Sequence, residues 1–161
     1  MIHHSEVSAP GQGREKPVDF GILLALAYTA FVDELRAALA EAGFAGLHRS
    51  FGYVARAIAE RPLTLRELAD RLEITSQGML KIVDELEAQG YVRRLADPAD
   101  GRARRVDLTP RGRDALAAAR AFHRKFEKRL GKTRAAAVRS VLTEIVERRA
   151  EAGAPPALRP I

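Results

Sequence analysis

Two groups of side chains in this 161-residue sequence have the chemistry to read a nucleic acid. The first is Thr75, Ser76, Gln77, Leu80 and Lys81. The Gln77 amide can pair bidentately with adenine, Lys81 can reach guanine or phosphate, and Leu80 can touch a thymine methyl. The second is a run of arginines at 93, 94, 102, 104, 105, 111 and 113. Set against Asp97, Asp100 and Asp107, they leave residues 91–113 with a net charge of +4, most of the whole chain's +6. Arginine suits bidentate phosphate and base contacts better than lysine does. Arg102, beside Gly101 in an Asp- and Pro-rich turn, is placed to enter a narrow minor groove, where the negative potential is enhanced. Asp100 is expected to orient the Arg102 guanidinium by a charge-assisted hydrogen bond. Arg94, Arg104 and Arg105 complete the expected contact set.

Those groups need elements to hold them. Leu65, Leu68, Ala69 and Leu72 recur at i, i+3, i+4 and i+7, the pattern of one helical face. Thr64 followed by Glu67 is a capping box for that helix. A second helix begins at Thr75 or Ser76, buries Met79, Ile82, Val83 and Leu86, and ends at Gly90. Two helices with so short a connection make a helix-turn-helix. Tyr91, Val92 and Leu95 then read as a strand, residues 96–104 as a turn, and Val106 and Leu108 as a returning strand. A helix-turn-helix followed by a basic hairpin is a winged helix. The polar face of its second helix is expected in the major groove.

The remaining chain is helical by pattern. Residues 18–42 carry Leu24, Ala27, Tyr28, Phe31, Leu35, Ala38 and Ala42 at helical spacing. A following helix turns Leu47, Phe51, Val54, Ala55 and Ile58 inward and ends before Pro62, which disfavours the α conformation at Arg61. Thr109 caps a helix that opens on Pro110 and breaks at Gly131. A last helix, about 133–151, shows Val138, Val141, Leu142, Ile145 and Val146. The fold class is therefore mainly α with a small β-hairpin wing. Residues 1–17 read as an arm, 18–152 as a single domain with its winged helix at 46–110, and 153–161 as a tail.

Composition bounds the function. The sequence is 47% hydrophobic and 30% charged, with an isoelectric point near 10.2. That is globular, and the basic balance points to a polyanionic partner, nucleic acid or an anionic membrane surface. Without cysteine, disulfides and thiol redox sensing are excluded. No apolar run approaches the ~20 residues of a membrane span, and no signal peptide is evident, so a cytoplasmic protein is expected. His3 and His4 have no cysteine or acidic cluster to complete a metal shell and read as tail residues. His123, on an apolar stripe, reads as a core or interface histidine before a pH sensor. No nucleophile elbow, HExxH or phosphate loop is present, so neither an enzyme nor a cofactor is expected.

The run Leu63–Thr75, the segment Met79–Arg94 and the hairpin Asp97–Leu108 leading into Thr109-Pro110 together resemble the MarR family of transcriptional regulators. The resemblance is sharpest over residues 63–113. Leu80 stands where the family often has Thr or Ser, and Lys81 where it often has Arg, which bears on DNA sequence preference. The resemblance implies a homodimer built by the flanking helices 18–45 and 111–152, a repressor on a pseudo-palindromic operator. It also implies release by a small aromatic or phenolic effector, for which Tyr28, His48 and Phe51 are the candidate pocket. The rival reading is a winged-helix protein–protein interaction module without specific DNA binding.

Overall fold

The computed structural model describes residues 18–151, with side chains through 148. The expected arm at 1–17 and tail at 153–161 lie outside the described residues. In chain order, the helices are α1 (Phe20–Glu41), α2 (Phe51–Ala57), α3 (Leu65–Leu72), α4 (Ser76–Ala88), α5 (Pro110–Leu130) and α6 (Lys132–Glu151), and the strands are β1 (Leu63–Thr64), β2 (Val92–Ala96) and β3 (Arg104–Leu108). The chain divides into two compact units between Asp33 and Glu34, within α1.

In the first unit, α1 is apolar almost all round, from Phe20 to Phe31, with no charged residue. Phe20, Ile22, Leu23, Leu24, Leu26 and Tyr28 are all exposed there.

In the second unit, one core gathers Phe51, Val54 and Ile58 of α2, Leu68 and Leu72 of α3, and Met79, Val83 and Leu86 of α4. Tyr91, Val106 and Leu108 of the hairpin and Leu116 of α5 join it. The apolar stripes of α3 and α4 thus do the work their spacing implies: they meet each other and the sheet. Ile82 and Leu47, expected inside, are only partly buried at its rim. The second helix is shorter than expected, because the chain turns at 48–50 before α2 begins.

Local signals set the helix ends. The Thr64 hydroxyl accepts from the Glu67 N–H at 3.2 Å, and the Glu67 carboxylate accepts from the Thr64 N–H at 2.7 Å, a complete capping box. Thr75 caps α4 through the Gly78 N–H at 3.0 Å. Thr109 caps α5 through the Gly112 N–H at 3.0 Å and donates to the Gly90 carbonyl at 2.6 Å, tying the helix start to the end of α4. Such caps each contribute about 1 kcal/mol. Gly112 fits a tighter constraint, since a Cβ there would stand 2.0 Å from the Tyr91 carbonyl oxygen.

The wing hairpin forms as the pattern suggests, β2 against β3, and a third, unexpected strand joins its sheet. Leu63 pairs with Val106 and Thr64 with Arg105, so the sheet has three strands in the order β1-β3-β2. Two residues are too few for an alternating pattern to register. What makes this strand is a non-local match: Leu63 is 1% exposed over the core, and the capping box turns the chain into α3 straight after it.

Candidate nucleic-acid interface

Thr75, Ser76, Gln77, Leu80 and Lys81 are all exposed, on one side of α4 opposite buried Met79, Val83 and Leu86. Leu80 is 43% exposed, an apolar side chain facing outward in the middle of a polar surface. The Thr75 hydroxyl is already engaged by its cap. A Cβ at Gly78 would lie 3.1 Å from Thr75 Oγ1, a tight contact that the hydroxyl would have to yield to.

The hairpin sorts its arginines into two classes. Arg93 and Arg113 both engage Asp107, at 2.9 and 3.1 Å, and so compensate a carboxylate only 5% exposed. Arg111 lies over the rings of Phe44 and Tyr91, its guanidinium carbon 5.6 and 4.9 Å from their centroids. Arg94 reaches Asp84 Oδ1 at 2.6 Å and Glu87 Oε2, and its own backbone N–H donates to Glu87 Oε1 at 3.0 Å. Burial alone would lower the Arg94 pKa, but the hydrogen bonds and charges of these two carboxylates outweigh it and raise it. Arg105 Nε lies 2.9 Å from Asp97 Oδ2. Among the described residues, Arg102 and Arg104 have no ion pair and no side-chain hydrogen bond, and both are exposed at the tip.

Asp100 differs from expectation. Its Oδ1 accepts from the backbone N–H of Arg102 at 2.9 Å rather than from the guanidinium. An aspartate in a turn finds the N–H two residues on closer than a flexible side-chain end, and so fixes the backbone. Asp97 does the same for the Ala99 N–H at 2.9 Å, while its own N–H donates to the Ala103 carbonyl at 3.1 Å. The tip is therefore a shaped loop that leaves the Arg102 side chain unengaged.

The Arg105 guanidinium beside Asp97, with the Ala99 N–H, holds the Asp97 carboxyl below its ordinary value of 3.8. A carboxyl depressed in the folded state stabilises that state above its unfolded pKa, and the contribution is lost as pH falls through the folded pKa. Protection of amides 97–104 against hydrogen exchange should therefore fall on acidification below about pH 4. In Asp97→Asn protection should already be reduced at neutral pH and respond little to acid. Equal protection factors in the two proteins across that range would remove this role for Asp97.

The candidate effector residues are not free to the same degree. Phe51 is 2% exposed, with its ring centroid 5.4 Å from that of Tyr91. His48 Nδ1 accepts from the Ser50 N–H at 3.0 Å, and Nε2 lies 3.1 Å from Glu85 Oε2. Tyr28 is exposed in the first unit. An open groove of about 420 Å³ beside α5, lined by Leu108, Arg113, Leu116, Arg120, Arg124 and neighbours, includes none of the three. His123 is held below its ordinary pKa by burial and then by Arg56, whose Nη2 is 3.2 Å from His123 Nε2. Among the described residues no group of three or more His, Cys, Asp or Glu could hold a metal ion. No helix there is long and apolar enough to cross a membrane.

Residues 45–103 match the model of the MarR family. The fold is similar to a probable transcriptional regulator from Pseudomonas aeruginosa, 26% identical, covering 80% of this chain and 97% of that one, with a TM-score of 0.59. It is similar also to the transcriptional regulator BldR from Sulfolobus solfataricus, 28% identical over 80% of this chain and 92% of that one, TM-score 0.58. A mutant MarR from E. coli, solved in complex with operator DNA, shares the fold at 21% identity over 78% and 92% of the two chains, TM-score 0.60. No curated protein matches the sequence. Residues 45–103 are thus similar to the MarR family, and the described chain shares the winged-helix fold of these transcriptional regulators.

Proposed function

We propose that the protein is a DNA-binding transcriptional regulator, a homodimeric repressor on a pseudo-palindromic operator that a small organic effector releases. The observation that carries the DNA-binding reading is the sorting of the wing arginines. Where Arg93, Arg94, Arg105 and Arg113 each have a carboxylate, Arg102 and Arg104 have none among the described residues. Two exposed guanidiniums without a carboxylate partner, at a hairpin tip whose backbone is held by Asp97 and Asp100, are available to an ordered anion. Beside them α4 exposes Gln77 and Lys81. The complex of E. coli MarR with operator DNA is a precedent for this use of the fold.

The homodimer reading rests on unpartnered apolar surface. The first three turns of α1 are apolar and exposed, and α6 exposes Val138, Val141, Leu142, Ile145 and Val146. Contiguous surface of this kind marks an interaction site. Dimerisation would set two recognition helices about 34 Å apart, one turn of DNA. Effector release is the finer part of the reading, with Tyr28, His48 and Phe51 as its candidate contacts. A ligand there would act through its differential affinity for two spacings of those helices.

The experiment is a titration against duplex DNA over a range of salt. Log K should fall with log salt at about −0.9 per phosphate neutralised. Binding that is absent at low salt, or indifferent to salt, would return the protein to the rival reading of a protein–protein module. Repeating the titration with aromatic carboxylates and phenols tests release, and His48→Ala and Phe51→Ala test its place.

A further inference from the structure

We propose that Arg94 is a positioning residue: gripped by Asp84 and Glu87, it sets the angle between the wing and the recognition helix and does not itself touch DNA. The inference rests on the DNA-binding reading, and changes what one of its arginines does.

Asp84 and Glu87 lie three residues apart on α4, hence on one face. Both are in the last two turns of a helix that ends at Ala88 and has no basic residue in its last turn. Carboxylates there meet the negative end of the helix dipole and are unfavourable without a cation. Arg94 is that cation, and it comes from a different element, β2. Its two terminal nitrogens go one to each carboxylate. A guanidinium is a rigid planar fork, so two such bonds fix orientation as well as distance. The backbone joins in: β2 is an edge strand, and the Arg94 N–H is taken by Glu87. Helix and strand are thus joined by three hydrogen bonds within one residue.

The strand carries that constraint to the tip. Arg94 pairs with Val106, and two residues further on Ala96 pairs with Arg104, one of the two unengaged arginines. A rotation of β2 against α4 would move Arg102 and Arg104 relative to Gln77 and Lys81. The Arg94 side chain is 22% exposed, against 53% for its neighbour Arg93. To reach a phosphate it would have to give up two carboxylates that already satisfy it.

The two roles predict opposite signs. If Arg94 touched phosphate, removing the nearby negative charges with Asp84→Asn/Glu87→Gln would free it and raise affinity for a polyanion. If it positions the wing, the same variant should bind a duplex recovered by the parent protein from a random-sequence pool about tenfold more weakly, some 1.4 kcal/mol. The slope of log K against log salt should not change, because no phosphate contact is lost. Arg94→Lys keeps the charge but not the fork, and should behave like Arg94→Gln. In every clamp variant the amide protection of residues 92–96 should drop while that of α3 stays. Tighter binding by the double carboxylate variant, or a slope shallower by about 0.9 in Arg94→Gln, would make Arg94 a phosphate contact and overturn the proposal. If the parent recovers no duplex, the DNA-binding reading is what fails. Amide protection then decides the clamp alone: unchanged protection overturns it and selective loss in β2 supports it.

Discussion

Replacing Arg102 and Arg104 together by alanine will weaken binding to specific duplex DNA by roughly 2–6 kcal/mol, taking about 1–3 kcal/mol for each arginine that reaches a base or groove edge. Both side chains are exposed and have no intramolecular ion pair among the described residues, so their removal leaves the folded chain almost untouched. Exposed substitutions of this kind usually change stability by less than about 0.5 kcal/mol. The loss should therefore appear in DNA affinity with an unchanged melting temperature. The salt slope should become shallower by up to about 1.8 if each arginine neutralises one phosphate. Arg93→Ala is the informative contrast. It removes one of two guanidiniums beside buried Asp107, so its effect should fall first on stability. Fluorescence anisotropy on a labelled duplex, with a thermal melt beside it, separates the two. A folded Arg102→Ala/Arg104→Ala protein that binds like the parent would take the wing out of the interface.

The difference between those variants was not legible in the sequence. Seven arginines in twenty-three residues announce a basic hairpin, but spacing does not say which of them are spent. Asp84 and Glu87 read naturally as solvated charge on a helix flank. Their partner lies across a turn, on a strand, and only the packing of β2 against α4 brings Arg94 to them. Asp97 and Arg105 likewise meet because the loop closes through the Asp97 N–H and the Ala103 carbonyl. What the residues do reveal is whatever is encoded locally. Thr64 with Glu67, Thr75, and Thr109 with Pro110 each act within three residues, and each stands at a helix start. The apolar stripes of α3 and α4 are equally legible, since the period is set by the helix itself. Strand β1 is the counter-example, two residues whose identity as strand lies in Val106 and Arg105, more than forty positions away. Gly112 is intermediate. The residue is visible, but its reason is the Tyr91 carbonyl, which arrives through the fold.

On the proposed homodimer, Leu142→Glu is expected to lower the mass from about twice 17.6 kDa to 17.6 kDa. Leu142 is 42% exposed on α6, in a row with Val138, Val141, Ile145 and Val146 that no other described element covers. A glutamate at such a position costs the isolated chain little, because its carboxylate stays in water. In a dimer the same carboxylate would be buried on both sides of a two-fold interface without a cation to pair it, and an uncompensated buried charge is expensive. The expected signature is thus a fall in mass with secondary structure retained, read by light scattering and circular dichroism. DNA binding should fall with it. A dimer holds two half-sites at once, so the second contact forms at high effective concentration, and losing that typically costs 10²- to 10⁴-fold in affinity. The monomer would keep the wing and its salt dependence per half-site, so binding to one half-site should survive while binding to the full palindrome collapses towards it. Val138→Glu on the same row should do likewise, whereas a change on the charged side of α6, such as Arg139→Glu, should not dissociate the dimer. A parent protein that stays at 17.6 kDa at high concentration, with DNA affinity indifferent to Leu142→Glu, would mean that these helices cover something other than a second copy of this chain.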